Sequence, residues 1–435
     1  MKRVLIITYY WPPAGGVEVH RVVKFCKYLI QSGWQPEILT VEAGKHSNLD
    51  EGLARDISGV AKVTRTASLE PHVLFNLLAG KKSSGPGASK GASSGRQSRM
   101  QIIGEYIRLN VFIPDARIGW YPFARNAGKK LLMEDKPDLI FSTAPPYTVH
   151  LVARFLSRKF SIPWVADFRD PWVENYAYNT VPRFPWIKAI NQAMEKCILR
   201  QADAVICATP GQRTIQSGKI EAHHRDKFHL ITNGYDYVPP DSLEKSAVFT
   251  LSYFGTLSSQ RLPPALLPAL QRLCEQNRSF AENFCFRLIG RFPPEVESRI
   301  RQSLPEKNIQ IAHHIPHQEL APLLQQNQVM LVLVDAVPFN ELIIPAKIFE
   351  ILPTGNPMLA IGPVTGDAAA LIRSTGAGLS CAPDDQGSIE SAILSMFETW
   401  KSGTLGRGTR RFPEYEREQL TLRLAEVFNG LTPTP

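Results

Sequence analysis

The sequence predicts an α/β protein made of two doubly wound domains, each a parallel sheet covered by helices on both faces. Three observations carry that expectation. Apolar runs of strand length recur along the chain, separated by segments with helical periodicity. At 435 residues the chain is too long for a single core. The runs also fall into two series, divided at Pro239-Pro240-Asp241-Ser242.

The first series opens with Arg3 to Tyr10, a buried-strand run ended by Trp11-Pro12-Pro13. The run sits behind Lys2 and Arg3, but no small-residue cleavage site follows it, so it reads as a first strand rather than a signal peptide. Gly15-Gly16 opens a helix over Glu18 to Ser32, and Gly33 caps it. Further strands are expected at Glu37–Val41, Leu139–Ser142, Ile162–Ala166, Ala204–Ala208 and Phe228–Ile231, with a helix through His150 and Leu156 after the second of these. The second series places strands at Phe249–Gly255, Phe286–Gly290, Ile309–Ile311, Val329–Val334 and Pro357–Ile361. The expected domains are residues 1–240 and 241–412. A C-terminal helical segment, 413–435, could fold back on the first domain, its helix running from Tyr415 to Leu431. Residues 81–100, rich in Ser, Gly and Lys, interrupt the first domain as a loop without apolar periodicity.

With 44% hydrophobic and 20% charged residues the composition is that of a globular domain, and no run approaches the roughly 18 apolar residues that span a bilayer. The six cysteines are scattered without CxxC spacing, so neither a zinc site nor a disulfide framework is expected, and a reducing cytoplasm fits. The net charge of +9 divides into +12 over residues 1–240 and −3 over the remainder. A basic first half suits an anionic surface such as lipid headgroups, and Lys81, Lys82, Lys90, Arg96 and Arg99 concentrate charge in its loop. Basic and aromatic residues do not interleave as in a base-stacking platform, so nucleic acid is not an expected partner.

Three stretches carry candidate chemistry. Pro345-Ala346-Lys347-Ile348-Phe349-Glu350 reads as a loop entering a short helix, stopped by Gly355-Asn356-Pro357. A helix start attracts phosphate, Lys347 adds a full charge, and Glu350 on the same face can accept hydrogen bonds from a ribose diol. The alternative is a solvated Lys347–Glu350 pair. Pro12-Pro13-Ala14-Gly15-Gly16 either lets backbone approach a ligand or forms a plain βα turn. Trp164 to Trp172 sets Asp167, Arg169 and Asp170 just beyond a buried strand, where they either meet a polar ligand or pair among themselves. His150, on the preceding helix, either meets substrate or is satisfied in the core.

Taken together, several motifs resemble bacterial glycosyltransferases of the family 4 type. They are Ile7 to Gly16, Phe112 to Arg117, Phe141 to His150, Trp164 to Trp172, Ile231 to Asp236, Tyr253 to Leu257 and Pro345 to Pro357. The resemblance implies the GT-B fold, two Rossmann-like domains facing a central cleft. It also implies sugar transfer from a nucleotide donor with retention, with no cofactor and no metal. By the same resemblance the second domain holds the donor. Arg261 and Lys347 would grip the diphosphate, and Gly16, Gly255, Gly290, Glu341, Pro345 and Ala346 would line the donor site. Glu350 matches the second glutamate of the family's paired-glutamate pattern, whereas the first should fall at Leu342 and the chain offers Glu341 instead. His150 and Asp170 join Arg261, Lys347 and Glu350 as catalytic candidates, and Asp167 and Arg169 are candidates for the acceptor.

The expectation is therefore a cytoplasmic glycosyltransferase, peripheral on the inner face of the cell membrane. It would use a UDP- or GDP-linked sugar and a glycan or lipid-linked acceptor in surface polysaccharide biosynthesis. A nucleotide-sugar epimerase of the same fold and a non-catalytic nucleotide- or glycan-binding protein are the alternatives.

Overall fold

The computed structural model describes residues 1–42, 52–53, 57, 59–69, 110–179, 182–236, 245–313, 323–406 and 410–432. The 81–100 loop and the Pro239–Ser242 divider lie outside them. The described chain forms two units, one running to Asn233 and resuming at Arg417, the other spanning Gly234 to Glu416.

In the first unit, β1 (Lys2–Ile7), β2 (Trp34–Val41), β3 (Lys62–Thr66), β4 (Leu139–Ala144), β5 (Trp164–Phe168), β6 (Ala204–Cys207) and β7 (Phe228–Leu230) form one sheet. Its order is β3-β2-β1-β4-β5-β6-β7, and every pairing is parallel. The buried runs of β1, β4 and β5 are the strongly apolar ones in the sequence, because both faces of these strands are covered. Helices Tyr121–Glu134, Thr148–Phe160 and Pro185–Gln201 pack on one face, and Val17–Leu29 and Arg417–Leu431 on the other. The C-terminal helix is locked there by Phe428, edge-on to Trp34 at 5.3 Å, and by Asn429, whose side chain accepts from the Trp34 indole at 3.2 Å.

In the second unit, β8 (Phe249–Thr256), β9 (Phe284–Arg291), β10 (Ile309–Ala312), β11 (Val329–Leu333), β12 (Met358–Ile361) and β13 (Gly378–Cys381) are again all parallel, in the order β10-β9-β8-β11-β12-β13. Both sheets are doubly wound, and strand order reverses between β1 and β4 in one and between β8 and β11 in the other. Crevices at such reversals, beyond the strand C-termini, are where open α/β sheets bind ligands.

Two strands escape the sequence patterns. Both β3 and β13 lie at sheet edges, and their partly exposed residues give no apolar run.

Candidate active site

In the second unit the reversal point collects most of the residues expected to hold the donor. Gly255 and Gly290 are in register at the ends of β8 and β9 and have φ of 116° and 143°. A Cβ on Gly290 would collide with the Gly255 carbonyl, so the strand ends approach closely only as glycines. A Cβ on Gly255 would fall 2.5 Å from the Lys347 Nζ. That missing side chain is the space Lys347 occupies, with its ammonium 4.4 Å from the centre of the Tyr253 ring.

Lys347 is therefore folded inward rather than extended into solvent beside Glu350. Burial pulls its amine from an ordinary 10.5 down to about 8, with Arg261 pulling the same way and Glu350 opposing. The Arg261 guanidinium is held in bidentate fashion by Asp335, just past the end of β11, and its Nη1 donates to the Thr256 carbonyl at 3.1 Å. Its affinity for its proton is raised, chiefly by that carboxylate. Asp335 and Tyr253 complete the site and were not expected from the sequence. The only sequence signal for Asp335 is a lone acid directly after an apolar strand.

Pro345 caps the helix Ala346–Ile351, which Leu352–Thr354 and Gly355 in the left-handed conformation terminate. The helix is only six residues long, so its macrodipole is small and the cationic character here comes from Lys347 and Arg261. Glu350 is exposed on that helix, and Glu341 is exposed on the 3-10 turn Asn340–Leu342 while Leu342 points into the core.

In the first unit the structure redraws the expected acceptor set. Asp167, offered as an acceptor contact, is fully buried. It takes a bidentate contact from Arg21, at 2.9 and 3.3 Å, and a hydrogen bond from the Thr143 hydroxyl at 2.7 Å. Arg21 in turn donates to the carbonyls of Ile231 and Thr232. Asp167 is thus a structural partner of Arg21, drawn inward because a buried guanidinium requires a carboxylate. Arg169 does not form the local Asp–Arg pair that the sequence allowed. Its guanidinium donates to the backbone carbonyls of Ala144, Pro145 and Glu18, tying the end of β4 to the first turn of the helix Val17–Leu29.

Asp170 remains exposed. The surrounding protein nonetheless raises its carboxyl above the usual range, Arg169 opposing. His150 is buried in the core, its Nδ1 2.8 Å from the Ser142 hydroxyl and its ring 4.4 Å from Phe168. Burial takes its pKa down to about 3, so it stays neutral, and the core reading replaces the catalytic one. Gly16, with φ of 131°, caps the helix Val17–Leu29, but a Cβ there would lie 3.0 Å from the Glu18 carboxylate. At that φ the turn itself calls for glycine, whatever else the position contacts.

The fold of the two units is shared with known proteins. A family model described as a glycosyl transferase 4-like domain matches residues 15–234. Similar solved structures include sucrose-phosphate synthase from Thermosynechococcus elongatus, at 14% identity over 99% of both chains with a TM-score of 0.61. WaaG, a glycosyltransferase involved in lipopolysaccharide biosynthesis, matches at 11% identity over 98% of this chain and all of the other, with a TM-score of 0.54. UDP-GlcNAc 2-epimerase from Neisseria meningitidis, bound to UDP-GlcNAc, matches at 12% identity over 98% and 99%, with a TM-score of 0.52. No curated protein matches the sequence closely enough to count as a relative. The two parallel-sheet units are those of the GT-B fold, and the chain belongs to the glycosyl transferase 4-like family.

Proposed function

We propose that the protein moves a sugar from a UDP- or GDP-linked donor to a glycan or lipid-linked acceptor, with retention and without a metal, in the assembly of a surface polysaccharide. The observation that carries this reading is the pairing of Lys347 and Arg261 beside Gly255 at the β8/β11 reversal. Two cations fixed at strand ends suit a nucleoside diphosphate. As the bond to the anomeric carbon breaks, negative charge builds on the leaving phosphate, and these groups stabilise it where it forms. Glu350, exposed on the same short helix as Lys347, would accept hydrogen bonds from the ribose diol, and Glu341 is exposed on the turn before that helix. Asp170 is the one exposed carboxylate of the first unit's motif left to meet an acceptor hydroxyl.

WaaG, by its description, acts in lipopolysaccharide biosynthesis, which fits a lipid-linked acceptor. Docking at the inner face of the membrane would bring the protein to such an acceptor, and no helix among the described residues is long and apolar enough to cross it. An epimerase would need two acid–base carboxylates, for which Asp167 and Asp170 are the candidates in the first unit's motif. Asp167 is committed to Arg21, which weighs against it.

Incubation of the pure protein with a panel of nucleotide sugars, with and without membrane extract, tests the proposal. Release of nucleoside diphosphate with a sugar-bearing product supports transfer. Conversion of the donor sugar alone would make the protein an epimerase, and binding without either would make it a binding module.

A further inference from the structure

We infer that the outer face of the helix Pro185–Gln201, with the basic groove beside it, docks the first unit on a bilayer bearing anionic phosphate headgroups. The inference rests on the proposed membrane-bound acceptor, and it assigns docking to a helix and its neighbouring groove rather than to residues 81–100.

The helix has two apolar stripes. One, with Ile187, Ile198 and Leu199, is buried in the core, where Asn191 and Glu195 are tied to Trp172 and Lys219. The second runs at four-residue intervals through Trp186, Ile190 and Met194. Trp186 is 58% exposed and Ile190 40%, while Met194 is partly buried and lines the groove. Phe184, 42% exposed, stacks on Trp186 with ring centres 5.8 Å apart. Among the described residues these are the only exposed Phe and Trp of this unit. A soluble protein gains nothing by holding such rings in water, yet the segment is built rigidly. The Phe184 amide donates to the Asn110 side chain at 3.1 Å, and the Arg183 guanidinium lies 3.6 Å over the Tyr178 ring. The amphipathic Trp ring favours the headgroup boundary of a bilayer, and the Phe ring beside it the apolar side of that boundary.

The charge around the stripe selects the occupant. Helices Tyr121–Glu134, Thr148–Phe160 and Pro185–Gln201 carry nine lysines and arginines against two glutamates, one of which, Glu195, is buried. Among the described residues only Arg200 of the nine has a carboxylate partner, Glu221. The stripe leads through Met194 into a groove of about 610 Å³ lined by Tyr121, Phe155, Arg154, Arg158 and Lys159. Aromatic floor and cationic rim fit an acyl-linked phosphate. A second copy of this chain would bring the same positive surface against itself, which disfavours a symmetric dimer. An anionic bilayer matches both the apolar stripe and the charge.

Co-sedimentation with phosphatidylcholine vesicles, with and without phosphatidylglycerol, decides the matter and requires no transfer activity. The full-length protein should bind the phosphatidylglycerol vesicles and be released by high salt. Phe184→Ser with Trp186→Ser should lower the partition coefficient about tenfold or more, and so should Arg154→Ala with Arg158→Ala. Both variants should keep the wild-type unfolding midpoint and nucleoside diphosphate affinity. Unchanged vesicle binding by either folded variant would overturn the inference. So would release of the wild type by millimolar inorganic phosphate at constant ionic strength, which marks a free-anion site. Loss of a concentration-dependent dimer in the Phe184/Trp186 variant would assign the stripe to self-association instead.

Discussion

Each unit holds an arginine–aspartate pair near the reversal of its sheet, and these two pairs differ in one physical respect. Arg21 and Asp167 have side chains only 4% and 0% exposed, and Arg21 spends further donors on two backbone carbonyls. Arg261 and Asp335 are 32% and 29% exposed and stand beside a second cation, Lys347, rather than a closed set of acceptors. A sealed pair cannot exchange partners without leaving a charge stranded in a medium of low dielectric, so it fixes structure. An open pair can release its carboxylate to water and take a phosphate. The same two residue types therefore serve as a rivet in one unit and, under the proposed function, as a ligand site in the other.

The largest effect should come from breaking the rivet. Asp167→Ala leaves the Arg21 guanidinium buried without its counter-charge, and should cost about 3–5 kcal/mol in denaturant unfolding. A loss below about 1 kcal/mol, the range of exposed pairs, would erase the contrast between the two units.

Next in size is Lys347→Met, which should weaken nucleoside diphosphate binding by about 1.5–3 kcal/mol in calorimetry, the scale of a hydrogen bond to a charged group. Its pH signature is distinctive. The free protein carries a charged Lys347 only below about 8, so affinity for the diphosphate should fall as pH rises through that value. The linkage to folding has the opposite sense. Because the folded amine holds its proton less tightly than the unfolded one, the unfolded chain binds more protons between about 8 and 10.5, and stability from this group rises with pH across that window. Below it the ammonium is a standing penalty, so the methionine variant should be no less stable at neutral pH. A less stable variant would mean the ammonium is structural.

How much of this was legible in the sequence follows from the same distinction. The central strands β1, β4, β8 and β11 could be read because both faces are buried, whereas β3 and β13 could not because their short, partly exposed sequences form no apolar run. Lys347, Gly255 and Arg261, which the fold brings together, could be singled out because a family motif and a strand end mark them. The partner of Asp167 was not legible. Arg21 lies far away in the chain, on a helix whose pattern says only that it packs, and nothing local distinguishes a carboxylate turned inward from one facing a ligand. His150 stayed open between two readings for the same reason, since the Ser142 hydroxyl that holds it and the Phe168 ring that covers it meet it only in the fold.

A smaller effect is expected at the open pair. Asp335→Asn should change folding stability by about 1 kcal/mol or less, as for an exposed ion pair. By removing an anion that competes for Arg261, it should also tighten diphosphate binding. Weaker binding instead would make Asp335 a positioning residue that Arg261 needs in order to face the ligand.

The central claim, that Lys347 and Arg261 grip the donor diphosphate, is tested most directly by one calorimetric ratio. A screen of UDP, GDP, ADP and CMP first identifies the base. The preference for the nucleoside diphosphate over the bare nucleoside is then measured for wild type and for the Lys347→Ala, Arg261→Ala double variant. The account predicts that nucleoside affinity survives in the variant while the preference for the diphosphate collapses. An unchanged preference, or an equal loss of affinity for nucleoside and diphosphate, would contradict it.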